Sequence, residues 1–409
     1  YDFYIRNIFF KTYETRFKVI KKLIIPSAKG QDGHFNANWL HEILVGQPTT
    51  FERDKLWSDL DNEEMNSFSD SERYLYKANY SLRKLLTDNV LDKPNVSDFA
   101  KHDEFPLILA WGLSTIDREL REQISSALTG WGIINPKEYK LLLDKVFDCN
   151  DPQIQEDLAS IALGIASRLK DRDALTELAE WALASIFDQL GRHRNVIVRQ
   201  GFRAIVERSY KFGLISKAKL NLARPKPMED FKMLNLNTGY LRNARQEYYP
   251  IVHDLAWYVI EKAYQNFLTI YDSTKEVGNE GIKAEQEFLE RYRENYGITK
   301  IYPRSWAMSA ALYYIEKLGL TRKKGSWFTD ASHGSKSKIY TYEEKYTWLA
   351  VHYLQGYLSD YLPYAERSYS LDRSWIKDYN QLAQIHNPVE DVFDRSEEHT
   401  SELQSPLDI

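Results

Sequence analysis

Three segments between residues 107 and 213 repeat one pattern, and that pattern limits the possible folds more than any other feature of the chain. They are Asp117-x-x-Leu120-Arg121-x-x-Ile124-x-x-Ala127-Leu128, Asp151-x-x-Ile154-Gln155-x-x-Leu158-x-x-Ile161-Ala162 and Asn195-x-x-Val198-Arg199-x-x-Phe202-x-x-Ile205-Val206. Counted from the Asp or Asn, the apolar positions fall at +3, +7, +10 and +11, which is one stripe of an α-helix. The leading Asp or Asn has a side chain that accepts from the orphan N–H groups of a helix start. Another apolar segment precedes each one (105–114, 139–147 and 175–190), so the repeating unit is a helix pair. The starts lie 34 residues apart (117 to 151) and then 44 (151 to 195), within the periods at which helix pairs stack into solenoids. A single pair cannot bury its apolar face alone, and a stacked neighbour covers it.

The predicted fold is therefore all-α, an α-solenoid of stacked helix pairs with a C-terminal helical extension. A bundle of well-capped helices is the plainer alternative. The array resembles HEAT repeats, whose second helix often opens Asp-Pro-x-apolar-Arg. Asp151-Pro152-Gln153-Ile154 fits that opening, with Gln155 where Arg is usual. Arg121, Gln155 and Arg199 share the +4 position. In stacked repeats such side chains bridge to a carboxylate or carbonyl of the adjacent layer, which is a structural role.

Around the array the chain reads as helix. Residues 1–100 form N-terminal helical layers: a basic, aromatic-rich start, then a helix from Asn36 ended by Gly46 and Pro48. Thr49-x-x-Glu52 and Ser69-x-x-Glu72 read as capping boxes that open two more helices. The array occupies 101–223. Pro225 and Pro227 close it, because two prolines so near each other forbid continued helix. The C-terminal helical region spans 224–394, with helices predicted over 249–267, 282–296, from Tyr302-Pro303 onward, and over 342–361. The last places Tyr346, Leu349, Ala350, Tyr353, Tyr357, Leu358 and Tyr361 on one face. A short strand is conceivable only near Ile339-Tyr340. Residues 395–409 are polar and aperiodic and resemble a translated sequencing adaptor, so they carry no functional weight. The start at Tyr1 and the absence of a signal peptide suggest an internal fragment of a longer protein.

Composition narrows the function. With 43% hydrophobic and 28% charged residues and 14% aromatics, the chain has the balance of a globular protein. A net charge of −5 gives no support to broad nucleic-acid binding. One cysteine, Cys149, excludes an internal disulfide framework and points to a reducing, cytoplasmic setting. No apolar run approaches the roughly 20 residues needed to span a bilayer, so no membrane partner is expected.

The motifs that would announce chemistry are missing. The glycine cluster Gly319-Leu-Thr-Arg-Lys-Lys-Gly325-Ser326 lacks phosphate-loop spacing. One Cys and nine scattered His offer no recognisable metal site, and His253-Asp254 point about 100° apart on a helix. No cofactor is expected, and no catalytic residue stands out. The loop residues Arg322, Lys323, Lys324, Lys336 and Lys338 with Trp327 could contact an anionic partner, or form a solvated loop.

Several stretches resemble the C-terminal helical-repeat region of large bacterial STAND-type P-loop NTPases of antiviral defence. They are Ala37-Asn-Trp-Leu-His-Glu-Ile-Leu with Glu52-Arg-Asp-Lys-Leu-Trp57, Leu109-Ala-Trp111-Gly-Leu-Ser-Thr115, Asn150-Asp-Pro152-x-Ile, Arg199-Gln-Gly-Phe-Arg-Ala-Ile-Val-Glu207, and Lys345-Tyr346-x-Trp348-x-Ala350-x-His352. The resemblance implies an effector and an ATPase elsewhere in the parent protein. It also implies that this region binds a protein ligand, a phage protein, and triggers ATP-driven homo-oligomerisation through the ATPase. The fragment itself would be no enzyme. Two other readings stay open: an all-helical enzyme with an aromatic-lined cavity and paired acids, for which Asp360 and Glu366 are candidates, and a passive scaffold that binds proteins.

Overall fold

The computed structural model describes residues 2–28, 33–57, 82–91, 104–187, 193–224, 248, 251–260, 303–320, 342–360, 364–365 and 376–377. The fold is all-α. One antiparallel pair of two-residue strands, β1 (Tyr364–Ala365) and β2 (Ile376–Lys377), is the exception among the described residues.

The N-terminal layers begin with α1 (Asp2–Lys11) and α2 (Tyr13–Val19). The latter runs through a π-helical turn, Ile20–Ile24, into α3 (Ile25–Ala28). Next come α4 (Ala37–Val45), capped by Asn36, and α5 (Thr50–Trp57). Thr49 accepts from the Glu52 N–H and bonds its carboxylate in turn, fixing the start of α5. A short α6 (Leu82–Leu86) follows, continued by a π-helical turn at Thr87–Leu91. The helix expected after Ser69 includes Leu82 and Leu85, which lie buried in α6, while its start lies outside the described residues.

Three pairs then stack: α7 (Glu104–Gly112) with α8 (Arg118–Ile134), α9 (Pro136–Val146) with α10 (Pro152–Arg168), and α11 (Arg172–Ala182) with α12 (Val196–Lys211). Helix α8 packs on α10 and α10 on α12, making one layer, while α7, α9 and α11 follow one another in the second. The helix predicted over 175–190 ends at Ala182 and passes into a π-helical turn, Leu183–Phe187. A short α13 (Lys217–Leu222) closes the stack.

Each array start is built alike. Asp117 accepts from the Leu120 N–H, Asp151 from those of Gln153 and Ile154, and Asn195 from those of Ile197 and Val198. Pro152 fills the first helical position of α10, where its missing N–H has no intrahelical role. The stripe residues Leu120, Ile124, Leu128, Ile154, Leu158, Ile161, Val198, Phe202 and Ile205 are all buried. Asn150, at the corner before α10, has φ 56°, a conformation that Asn tolerates better than most residues. Gly201 marks the α10–α12 crossing, where a Cβ would lie 2.9 Å from the Ala159 carbonyl oxygen.

The C-terminal layer consists of a π-helical segment, Ile251–Ile260, with α14 (Pro303–Lys317) and α15 (Tyr342–Ser359). Helix α15 packs against the other two and also against α12 of the array. The sequence places one apolar face on α15, but the helix is enclosed on nearly all sides. Glu343, Lys345, Thr347, Val351, Gly356 and Ser359 are buried along with Tyr346, Leu349, Ala350, Tyr357 and Leu358. The reason is that it has two neighbours, an apolar one in its own layer and a polar one in the array. On α14, Trp306, Ala310 and Ile315 are buried and Tyr313 is exposed.

Candidate functional site

The apolar interior falls into two clusters. One is built from α1 to α13, the other from the π-helical segment, α14 and α15, with Phe51 of α5 packed against it. Between them runs a polar seam, which holds Arg199, His352 and Asp360 among the residues the sequence offers as candidates.

At one end, the Lys345 ammonium lies 2.5 Å from the Asp54 carboxylate and 2.5 Å from the Ser114 carbonyl. The Tyr346 hydroxyl donates to the same carboxylate oxygen at 2.5 Å. Asp54 is fully buried. Desolvation pushes its carboxyl up to about 6, with the Lys345 charge opposing and the nearby Asp151 charge adding to the rise. The Tyr346 hydroxyl is held well above its usual range, first by burial and then by the Asp54 charge.

In the middle, one ring nitrogen of His352 (Nδ1) lies 2.8 Å from Glu156 on α10, and the Asn195 amide donates to the same Glu156 oxygen. At the far end Arg199 clasps Asp360 with two bonds, of 2.6 and 3.2 Å, and donates to the Gly356 and His193 carbonyls. Both charged side chains are nearly inaccessible. Arg194 adds a looser contact to Asp360 at 3.9 Å and lies over the Tyr357 ring, 4.8 Å from its centre. Gly356 lets the helix sit this close: a Cβ there would fall 1.4 Å from the Arg194 carbonyl oxygen.

The +4 residues do different things. Arg121 on α8 reaches Asp157 on α10 at 3.5 Å, a bridge between successive helix pairs. Burial pushes Asp157 up to about 6, with Arg121 pulling the other way. Gln155 donates to the Phe147 carbonyl of its own pair, so it does not cross to a neighbour. Arg199 bridges to the C-terminal layer and not to a further repeat. The capping residues are also tied in, since Asp117 takes two bonds from Arg83. Asp151 stands 3.7 Å from Arg53, whose guanidinium donates to the Leu44 carbonyl and lies over Trp111.

Trp57 donates to the Trp111 carbonyl at 2.8 Å. The Trp111 N–H in turn donates to His41 at 3.2 Å, and burial holds that imidazole down to about 4, the neutral form an acceptor needs. Trp348 packs against the second cluster beside His352. Cys149 is buried, and its thiol is pushed up to about 12, chiefly by desolvation. The basic loop residues Arg322, Lys323, Lys324, Trp327, Lys336 and Lys338 lie outside the described residues, as do Glu366 and the side chains of His253 and Asp254.

Asp54, Lys345, Arg194 and Gly356 are the participants that the repeat pattern does not reveal. A signal exists for the α15 side: Lys345, His352, Gly356 and Asp360 are spaced 7, 4 and 4 apart, a second helical stripe beside the apolar one. Its partners Asp54 and Glu156 are far away in sequence and carry no such mark, while Arg199 stands at the +4 position of the repeat. Among the described residues no group of His, Cys, Asp and Glu could hold a metal ion, and no helix is long and apolar enough to cross a membrane. No family model, curated protein or solved structure matches this chain.

Proposed function

We propose that the chain is a non-catalytic sensor and regulatory α-solenoid of the HEAT-like kind, belonging to a STAND-type antiviral ATPase. In this reading a phage protein binds the stacked helices and triggers ATP-driven oligomerisation of the parent protein. The observation that carries it is the commitment of the polar candidates to one another. Lys345 is paired with Asp54, His352 with Glu156 and Arg199 with Asp360, as in a framework that positions helices. Asp360, one of the acids the enzyme alternative would need, is neutralised by an arginine.

Switching a parent ATPase from 1:99 to 99:1 between two states needs a ligand with about 5.5 kcal/mol of differential affinity. A broad helical surface can supply that and a small loop contact cannot. The test is co-expression of the full-length protein with individual phage proteins, followed by co-purification and ATPase assay. At least one is expected to bind and raise the rate. Binding with no change in rate through the whole set leaves a scaffold, and no binding at all ends the proposal.

A further inference from the structure

We infer that the C-terminal layer (the 251–260 segment, α14 and α15) lifts off the array as a folded body along the polar seam, with both apolar cores left intact. This goes beyond the sensor reading and does not depend on it. The two apolar clusters are separate, and Phe51 of α5 is the hydrophobic side chain from outside the layer that packs against the second one among the described residues. Besides the Phe51 ring against Tyr342 and Tyr346 and Arg194 over Tyr357, the contacts between them are polar: Lys345 with Asp54, Arg199 with Asp360, His352 with Glu156, and the Phe51 N–H donating to the Leu318 carbonyl at 2.9 Å.

Splitting an apolar core exposes surface at about 25 cal/mol per Å². Parting ion pairs instead returns their charges to water, and hydration offsets much of the lost attraction. The seam is therefore the surface along which the chain separates at least expense of apolar burial. Interfaces of this polar kind between units of one chain are the ones that move. The fit at Gly356 points the same way. Backbone meets backbone there, so no interdigitated side chain has to be withdrawn at that point for the layer to leave.

The test is thiol labelling of the whole chain across a denaturant series. Two reporter chains carry Cys149→Ala and one new cysteine each, Ser359→Cys beside the seam or Ala162→Cys in the array core; both positions are buried. The seam thiol is expected to react at least tenfold faster without denaturant and to show a shallow denaturant dependence, because little surface is exposed when it opens. The core thiol should react slowly, with the steep slope of global unfolding. Equal rates and slopes would overturn the inference. Should either reporter chain lose helical circular dichroism, hydrogen exchange on the unsubstituted chain decides. Helices 303–317 and 342–359 are then expected to share one unfolding free energy distinct from that of 118–211, as two bodies joined only by a polar seam unfold separately, and one common value for all of them refutes the lid.

Discussion

Replacing Lys345 by Met is the sharpest probe of the seam. The substitution keeps most of the side-chain volume and removes the ammonium from a site where the Lys345 residue is 2% exposed and Asp54 0%. Stripping one partner from a buried ion pair costs about 3–5 kcal/mol when the other stays charged. Here the carboxyl has an escape. It already stands near 6 against a reference of 3.8, and without Lys345, whose charge pulls it down, it rises further and takes up a proton near neutral pH.

The sign follows from linkage. A carboxyl raised in the folded state binds its proton more tightly there than in the unfolded chain. Folding is therefore most stable below the unfolded value and loses stability as pH climbs through the folded one. For the native chain that loss runs from about pH 4 to about pH 6 and amounts to roughly 3 kcal/mol, at 1.36 kcal/mol per unit. In Lys345→Met the falling limb extends to higher pH. Urea unfolding should show a deficit of about 3 kcal/mol at pH 7.5, shrinking to about 1 kcal/mol or less at pH 4.5, where what remains is mainly the donor lost by the Ser114 carbonyl. The double variant with Asp54→Asn should recover most of the deficit at pH 7.5. A deficit of equal size at both pH values, or a double variant as weak as the single one, would refute the reasoning.

Other outcomes follow from the same geometry. Gly356→Ala should destabilise the docked C-terminal layer by about 3 kcal/mol or more, since its methyl meets backbone, whereas Gly213→Ala, in open space at φ 68°, should lose only about 1 kcal/mol; denaturant midpoints distinguish the two. Asp360→Asn should weaken folding by about 3 kcal/mol by leaving Arg199 buried beside a neutral partner, and Arg199→Met should restore part of it in the double variant, measured as a coupling energy. Asp151→Ala removes a two-bond cap and should cost about 2 kcal/mol in thermal or denaturant unfolding. Cys149, buried with its thiol pushed up to about 12, should react with iodoacetamide at pH 7.5 only at the rate of unfolding.

The array was legible because its determinants are local. A cap, a stripe at helical spacing and the next cap all lie within some forty residues, and burial of Leu120, Leu158 and Phe202 follows from periodicity alone. The same logic places α15 but not its surroundings. Periodicity finds the apolar face of a helix, but it does not show that the polar face is covered too, and Lys345 and Asp360 read like solvent residues until their partners are known. Those partners sit 291 and 161 residues away. Gln155 misled in the opposite direction, because its place in the repeat suggested a bridge to the next layer when a carbonyl of its own pair, Phe147, was within reach.

The way the array helices line up has an electrical consequence. Arg121 meets Asp157, and Glu156 meets Asn195, so the first turns of α8, α10 and α12 lie side by side and point the same way. Each contributes about half a positive elementary charge at that end, and together they form a row of fractional cation along one side of the array. Asp117, Asp151, Glu156, Asp157 and Asp360 line that side as its counter-charge. Reversing the sign of any one of them would leave a local repulsion felt by neighbouring rods as well as its own, so this largely buried row tolerates far less change of charge than the exposed helix faces do.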